Sequence, residues 1–374
     1  MNVHCANPHA QFVSHKSEIE NVVLEVMNSG RFILGQQVEL FEKEFAEFIG
    51  VSDVIGVANG TDAIEITLRA LGIKQGDEVI TVSHTAVATV AAIEAAGAIP
   101  VLVDVDSDYF TINPDQLDEV FSVRTKALIA VHLYGQSVDL DTISEFCERK
   151  GIFLIEDCSQ AHGAKWKGKR LGSFGHASCF SCYPTKNLGA IGDAGLIATN
   201  SDSLAQKIRM LREYGWGKRY ISKYKGKNSR LDELQAAVLR IKLRTLDASN
   251  TLRINHARTY YEGLQDLPIL LPKTRKNSEH VFHLFVIQSN HRRDLIDFLS
   301  SQGVETGIHY PLPIHMQPAY KFSIQTSSVM SVTEELATKV LSLPMYPELN
   351  SMEILHVISS VRSFFEKSQI NENY

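Results

Sequence analysis

Short apolar runs alternate with amphipathic stretches through the first half of the chain. V-I-G-V-A (54–58), E-V-I-T-V (78–82), V-L-V-D-V (101–105), A-L-I-A-V-H-L (127–133) and I-F-L-I-E (152–156) have the length and β-branched content of buried strands. Between them, T-D-A-I-E-I-T-L-R-A-L (61–71), A-V-A-T-V-A-A-I-E-A-A (86–96) and L-D-T-I-S-E-F-C-E-R-K (140–150) read as helices, the first stopped by Gly72. Ahead of this block, Ser14 is expected to cap a helix running towards Gly30, and a second helix runs from Val38 to a stop at Gly50. Strands alternating with helices of this length predict an α/β fold, a mostly parallel sheet covered on both faces.

Beyond C-F-S-C-Y (179–183) and G-L-I-A-T (195–199), a helical pattern spans roughly Asp232 to Leu264. It is longer than an ordinary domain helix, so it is expected to bridge to a second lobe. The strand V-F-H-L-F-V-I (281–287) and the helices and turns after it suggest a small α+β domain. The expected division is 1–250 for the large α/β domain and 251–374 for the small one.

Composition narrows the function classes. The chain has 374 residues, 44% hydrophobic and 21% charged, ordinary for a globular protein. A net charge of -6 with no charged tail gives no reason to expect nucleic acid or an anionic membrane as partner. Residues 1–16 carry no apolar signal core, and the apolar stretch Ala86–Val103 is broken by Glu94, Gly97 and Pro100, so no membrane span is expected. Five cysteines, an odd number, fit a reducing compartment, and the expected location is cytoplasmic.

Several motifs resemble chemistry without supplying it. G-A-K-W-K-G-K-R (163–170) ends in Arg170 where a phosphate-binding P-loop needs a hydroxyl for magnesium, so it reads as a polar turn. Cys179 and Cys182 form C-x-x-C inside an apolar run with no second pair at zinc spacing, and read as buried structural thiols. His309 and His315 sit among prolines without carboxylates close in sequence, and no metal is expected. The stretch 217–227 carries Lys218, Arg219, Lys223, Lys225 and Lys227. It is either a solvated loop or an anchor for a phosphate or diphosphate.

Three features at strand ends carry chemistry, which is where open parallel sheets place their ligands. In V-A-N-G-T-D-A-I a strand turns through Gly60 into a helix starting at Thr61, and such a helix start offers amides and a hydroxyl to a phosphate. In I-F-L-I-E-D-C-S-Q-A-H-G-A a strand ends on Glu156 and Asp157, and a carboxylate there can keep a heterocyclic nitrogen protonated. In F-S-C-Y-P-T-K-N-L-G-A-I-G-D-A-G, Lys186 follows a strand and a proline turn, placed to form an imine with an aldehyde cofactor. Together they match the needs of pyridoxal phosphate.

The chain resembles the DegT/DnrJ/StrS sugar aminotransferases, of the aspartate-aminotransferase fold (fold type I), over nearly its whole length. The resemblance rests on G-R-F-I-L-G (30–35), N-G-T-D-A (59–63), E-D-C-S-Q-A-H-G-A (156–164), S-C-Y-P-T-K-N-L-G-A-I-G-D-A-G (181–195), N-S-R-L-D-E-L-Q-A-A (228–237) and H-Y-P-L-P-I-H (309–315). It implies Lys186 as the Schiff-base lysine and proton carrier, with Asp157 on the pyridine nitrogen and Gln160 near the phenolic oxygen. It also implies Thr61, with Gly60 and the amide of Asp62, and Ser181 at the phosphate. Asn228 would reach the phosphate of the neighbouring subunit, making a homodimer the working unit. Many members carry an aromatic residue two places after His84, where this chain has Ala86. His84 then either stacks on the cofactor ring itself or hydrogen-bonds behind it.

The implied reaction moves an amino group from L-glutamate to a nucleotide-linked keto sugar. Tyr183, Lys218, Arg219, His309, Tyr310 and His315 are the residues expected to hold that substrate. N-S-R-L-D-E and S-H-T-A-V-A-T (83–89) are more similar to members that aminate C3 of dTDP-3-keto-6-deoxyhexoses than to the C4 group. A C4 aminotransferase on a UDP-, GDP- or dTDP-4-keto sugar is the alternative within this chemistry. A non-catalytic pyridoxal-phosphate-binding regulator is the alternative outside it, and relatives that dehydrate sugars carry histidine in place of the lysine.

Overall fold

The computed structural model describes residues 1–372, so the last two residues of the expected small domain lie outside it. Its centre is an eight-stranded sheet. Across the sheet the strands run Asp53–Val57, Gly195–Thr199, Ala177–Ser181, Phe153–Asp157, Thr125–Val131, Glu78–Val82, Ile99–Val103 and Gln325–Thr326. Gly195–Thr199 pairs antiparallel with both neighbours, and the other pairings in this sheet are parallel. This is the expected covered α/β sheet. Glu78–Val82 is buried at every position, as a strand covered on both faces must be.

The helices that follow strands start and stop where local chemistry dictates. Gly60–Leu71 begins at Asn59, whose side-chain oxygen accepts from the Asp62 amide, and ends at Gly72, at φ 90°. Leu140–Lys150 is capped by Asp139 and closed by Gly151 at φ 65°. These caps satisfy end groups that the helix itself leaves free. Gln36–Ile49 ends on Gly50 as the sequence predicts, but its N-terminus is capped from far away in the chain. Glu233 accepts from the amides of Gly35 (2.7 Å), Gln37 (2.9 Å) and Val38 (3.0 Å).

Two expectations need correction. Ser14 does not cap a helix running to Gly30. It ends the helix Pro8–Ser14, its hydroxyl bonding back to the Ala10 and Gln11 carbonyls, and a second helix, Lys16–Ser29, follows. The long pattern from Asp232 is two helices, Glu233–Leu243 and Leu246–Leu264, because Thr245 leaves helical dihedrals at φ -111°, ψ 3°. Neither glycine nor proline marks that break, so nothing local announces it.

The two largest apolar cores among the described residues are distinct. The main one wraps the large sheet. A second gathers Ala257, Tyr260 and Leu264 with Phe285, Leu341, Val357 and Phe365, around the short antiparallel pair Phe285–Gln288 and Val340–Leu343. The expected division at 250 falls inside Leu246–Leu264, and Gln325–Thr326 returns to the large sheet beside Ile99–Val103. The P-loop-like segment is a tight hairpin of Lys165–Trp166 and Lys169–Arg170, turning through Lys167 at φ 49° and Gly168 at φ 79°.

Candidate active site

A cavity of ≈ 290 Å³ opens at the carboxyl ends of the parallel strands. Gly60 and Thr61 enter it after Asp53–Val57, Thr85 and Ala86 after Glu78–Val82, and Asp157 and Gln160 at the end of Phe153–Asp157. Ser181, Tyr183, Thr185 and Lys186 come in at the end of Ala177–Ser181. The first amides of a helix have no partner within it, so Gly60 and Thr61 turn free donors and the positive dipole end towards Ser181. Glycine at 60 is obligatory: a Cβ there would lie 2.7 Å from Ser181 Cβ.

Asp157 is buried, with Oδ2 accepting from the Thr89 hydroxyl at 3.0 Å and Oδ1 from the Ser159 amide at 3.1 Å. The Gln160 side chain is oriented from both ends. Its Oε1 accepts from the Tyr134 amide at 2.7 Å and its Nε2 donates to Tyr310 Oη at 3.1 Å. Burial pushes the Lys186 amine down to about 8, against the opposing pull of Asp157 and Cys182. An amine so shifted is neutral, hence nucleophilic, in a far larger fraction near neutral pH than an exposed lysine.

The adjacent carboxylate works elsewhere. Glu156 accepts from the amides of Gly172 (2.9 Å), Phe174 (2.8 Å) and Gly175 (2.9 Å), and from His132 Nε2 at 3.1 Å. It binds together the turn that follows Arg170. Successive strand residues face opposite sides, which is why Asp157 reaches the cavity and Glu156 does not.

Other predicted positions lie off the cavity wall. His84 is buried behind it, its Nε2 2.8 Å from Tyr134 Oη, while Ala86 forms the wall. The Asp62 amide is engaged by Asn59 at 2.8 Å, and its carboxylate pairs with Lys227 at 2.6 Å. Tyr310 touches the site through Gln160, and the Lys186 charge acts on His309, whose Nδ1 lies 2.8 Å from Ser342 Oγ. His315 lies 2.7 Å from Ser83 Oγ and 3.2 Å from Glu334. Asn228, Lys218 and Arg219 are exposed and line no part of this cavity. Cys179 and Cys182 are fully buried free thiols, burial pushing the second up to about 12.

Sequence reasoning missed Thr89 and Tyr134. Thr89 sits in an alanine-rich helix with no signal beyond its type. Tyr134 turns its amide to Gln160 from a backbone at φ 59°, which no local residue announces.

A mostly parallel, doubly covered sheet with an enclosed amine, a carboxylate and a helix start at its strand ends defines the class: a fold-type-I pyridoxal-phosphate transaminase. Residues 13–362 match the model of the DegT/DnrJ/EryC1/StrS aminotransferase family. The chain belongs to that family and is a pyridoxal-phosphate-dependent aminotransferase. It is 42% identical over 359 residues to the dTDP-3-amino-3,4,6-trideoxy-alpha-D-glucose transaminase of Streptomyces venezuelae, covering 96% of this chain and 95% of that one. It is also 42% identical over 369 residues to the pleiotropic regulatory protein of Geobacillus stearothermophilus, covering 98% and 99%. The solved structure of S. venezuelae DesV in complex with a ketimine intermediate superposes with a TM-score of 0.95 at 41% identity, covering 98% of this chain and 99% of that one. Among the described residues, no helix is long and apolar enough to cross a membrane.

Proposed function

We propose that this aminotransferase moves an amino group from L-glutamate to the C3 keto group of a dTDP-3-keto-6-deoxyhexose. Its fit to the cofactor supports the reading. Gly60 and Thr61 offer amides and a hydroxyl beside Ser181 for a phosphate, Asp157 offers a buried carboxylate to a pyridine nitrogen, and Lys186 offers an amine across the same cavity. Bound there, the cofactor supplies an electron sink that lets a carbon next to nitrogen give up its proton. Lys186 would hold the cofactor covalently and, as a free amine, would carry the proton. Asp157 would hold the ring nitrogen in its charged form, and Thr89 and Ser159 fix the carboxylate in place. With its oxygen taken by the Tyr134 amide and its Nε2 donating to Tyr310, Gln160 would have one N–H left to offer the cofactor's phenolic oxygen.

The single observation that carries the reading is Lys186 and Asp157 lining one cavity at the strand ends. The substrate rests on the relative named for a dTDP-3-amino sugar. Tyr183, half exposed at the mouth, and Tyr310 beside Gln160 are the proposed sugar contacts. The basic hairpin of Trp216–Lys218 and Ile221–Ser222, which carries Lys218 and Arg219, and Asn228 near its base, serve the partner subunit's site in a homodimer.

The test is an absorbance spectrum before and after L-glutamate, beside a Lys186→Ala variant, followed by turnover of dTDP-3-keto and 4-keto sugars. A cofactor band that glutamate converts, missing from the variant, and turnover of the 3-keto sugar support the proposal. Turnover of a 4-keto sugar alone moves the assignment to C4. A band without turnover of any keto sugar favours a regulator, the reading suggested by the name of one relative.

A further inference from the structure

Lys186 lines the cavity, whereas the next side chain, Asn187, is buried among residues that do not line it. Asn187 spends both ends of its amide there. Its Nδ2 donates to Asn250 Oδ1 at 2.8 Å and to the Val281 carbonyl at 3.2 Å. The Val281 carbonyl can only accept, which fixes the amide's orientation. Asn187 Oδ1 therefore accepts from His283 Nδ1 at 3.1 Å, and His283 carries its proton on that nitrogen. The Asn250 Nδ2 in turn donates to the His162 carbonyl at 2.8 Å.

The clamp extends along the chain on both sides. Two residues beyond Asn187, the Gly189 carbonyl accepts from the buried Lys242 Nζ at 2.7 Å. Arg253, fully buried one turn after Asn250, donates to the carbonyls of Phe282 and His283 and holds the segment that carries His283. Helices Glu233–Leu243 and Leu246–Leu264 thus grip the lysine's own loop from behind. Each of these side chains ties one segment to another through backbone carbonyls or amides, which suits a rigid mount.

We propose that Asn187, clamped by His283 and Asn250, is the positioning residue that aims the Lys186 amine into the cavity. The proposal rests on Lys186 being the cofactor lysine. The groups facing that amine are Asp157 and Cys182, which favour its charge, and His162, His283 and His309, which would oppose it if protonated. Burial holds His162 near 3, His309 near 4, and His283 well below the ordinary value, so these three stay uncharged at neutral pH. Loosening the clamp lets the amine leave its enclosure, and its titration then moves up towards that of an ordinary lysine.

The experiment compares His283→Phe, which removes the donor to Asn187, with His283→Gln, which keeps one. In cofactor-free protein, the rate of Lys186 acetylation is followed against pH by peptide mass spectrometry. Wild type is expected to show a midpoint of about 8. His283→Phe should move it upward by about one unit and lower kcat of the loaded enzyme about tenfold or more, with KM unchanged. His283→Gln should restore both. Asn250→Leu, near-isosteric and uncharged, is the second variant should His283→Phe not fold; it removes the acceptor for Asn187 and the donor to His162, and should give a shift in the same direction. A folded His283→Phe or Asn250→Leu with wild-type midpoint and kcat overturns the proposal. If wild type forms no covalent link to the cofactor at Lys186, the functional reading fails instead, and the acetylation profiles still report on the clamp.

Discussion

Glu156 and Asp157 are adjacent carboxylates with opposite duties, and each makes a prediction at its own position. Asp157→Asn removes the charge facing the cavity while leaving an amide that still bonds Thr89 or Ser159. Turnover should fall about 10²-fold or more, with the melting temperature little changed. Glu156→Gln acts on the fold instead. Burial alone would raise the Glu156 carboxyl, but the hydrogen bonds from His132, Gly172 and Gly175 overcome it and hold it below its ordinary range. A lowered folded value means that the unfolded chain binds the proton more readily. The stabilisation is therefore fully present above the ordinary glutamate range and lost as pH falls through the folded value. Denaturant unfolding at neutral pH should show Glu156→Gln about 3 kcal/mol less stable than wild type, with the gap narrowing on acidification. An unchanged gap at acid pH would contradict this account. The sequence showed that a carboxylate stands at this strand end; the strand's alternation decided which of the two serves the cavity.

Among elements, the alternating strands and helices between Asp53 and Asp157 were legible because period and stop residues agree locally, whereas the helices ahead of them were not all so. Asn59 with Gly72, and Asp139 with Gly151, bound their helices from within a few positions. Glu233 is the opposite case. It caps Gln36–Ile49 from nearly two hundred positions away, and three amides depend on one buried carboxylate. Glu233→Ala should lower unfolding stability by about 1–3 kcal/mol in a denaturant titration, because those amides lose their acceptor inside the protein. The cost would be absent if water entered to replace it. The break at Thr245 was not legible for a related reason: Arg244 and Thr245 are tolerated in a helix, and only packing of the two arms against different neighbours separates them.

For the whole molecule, the exposed placement of Asn228, Lys218 and Arg219 outside their own chain's cavity is what a shared site requires. If Asn228 serves the neighbouring subunit, Lys186→Ala and Asn228→Ala each inactivate a different half of the composite site. Mixing the two inactive variants under conditions that exchange subunits should then recover activity, to about a quarter of wild type for random pairing in a two-fold dimer. No recovery despite demonstrated exchange would place Asn228 in its own subunit's site or in none. The arrangement also explains why the basic stretch stayed ambiguous in the sequence. A hairpin in solvent and a hairpin reaching into a partner carry the same residues.

The sequence by itself determined what local rules encode: the alternation that makes a parallel sheet, the glycine that admits a helix start beside Ser181, and the lysine and carboxylate at strand ends. Period, cap and turn preferences act within a few residues, so they survive in one dimension. Only the tertiary structure decided which groups meet. It put Thr89 on Asp157, Tyr134 on Gln160, His84 behind the wall rather than on it, and Asn187 between Asn250 and His283. These contacts join residues tens of positions apart, and hydrogen bonds of that span depend on packing that no local pattern specifies.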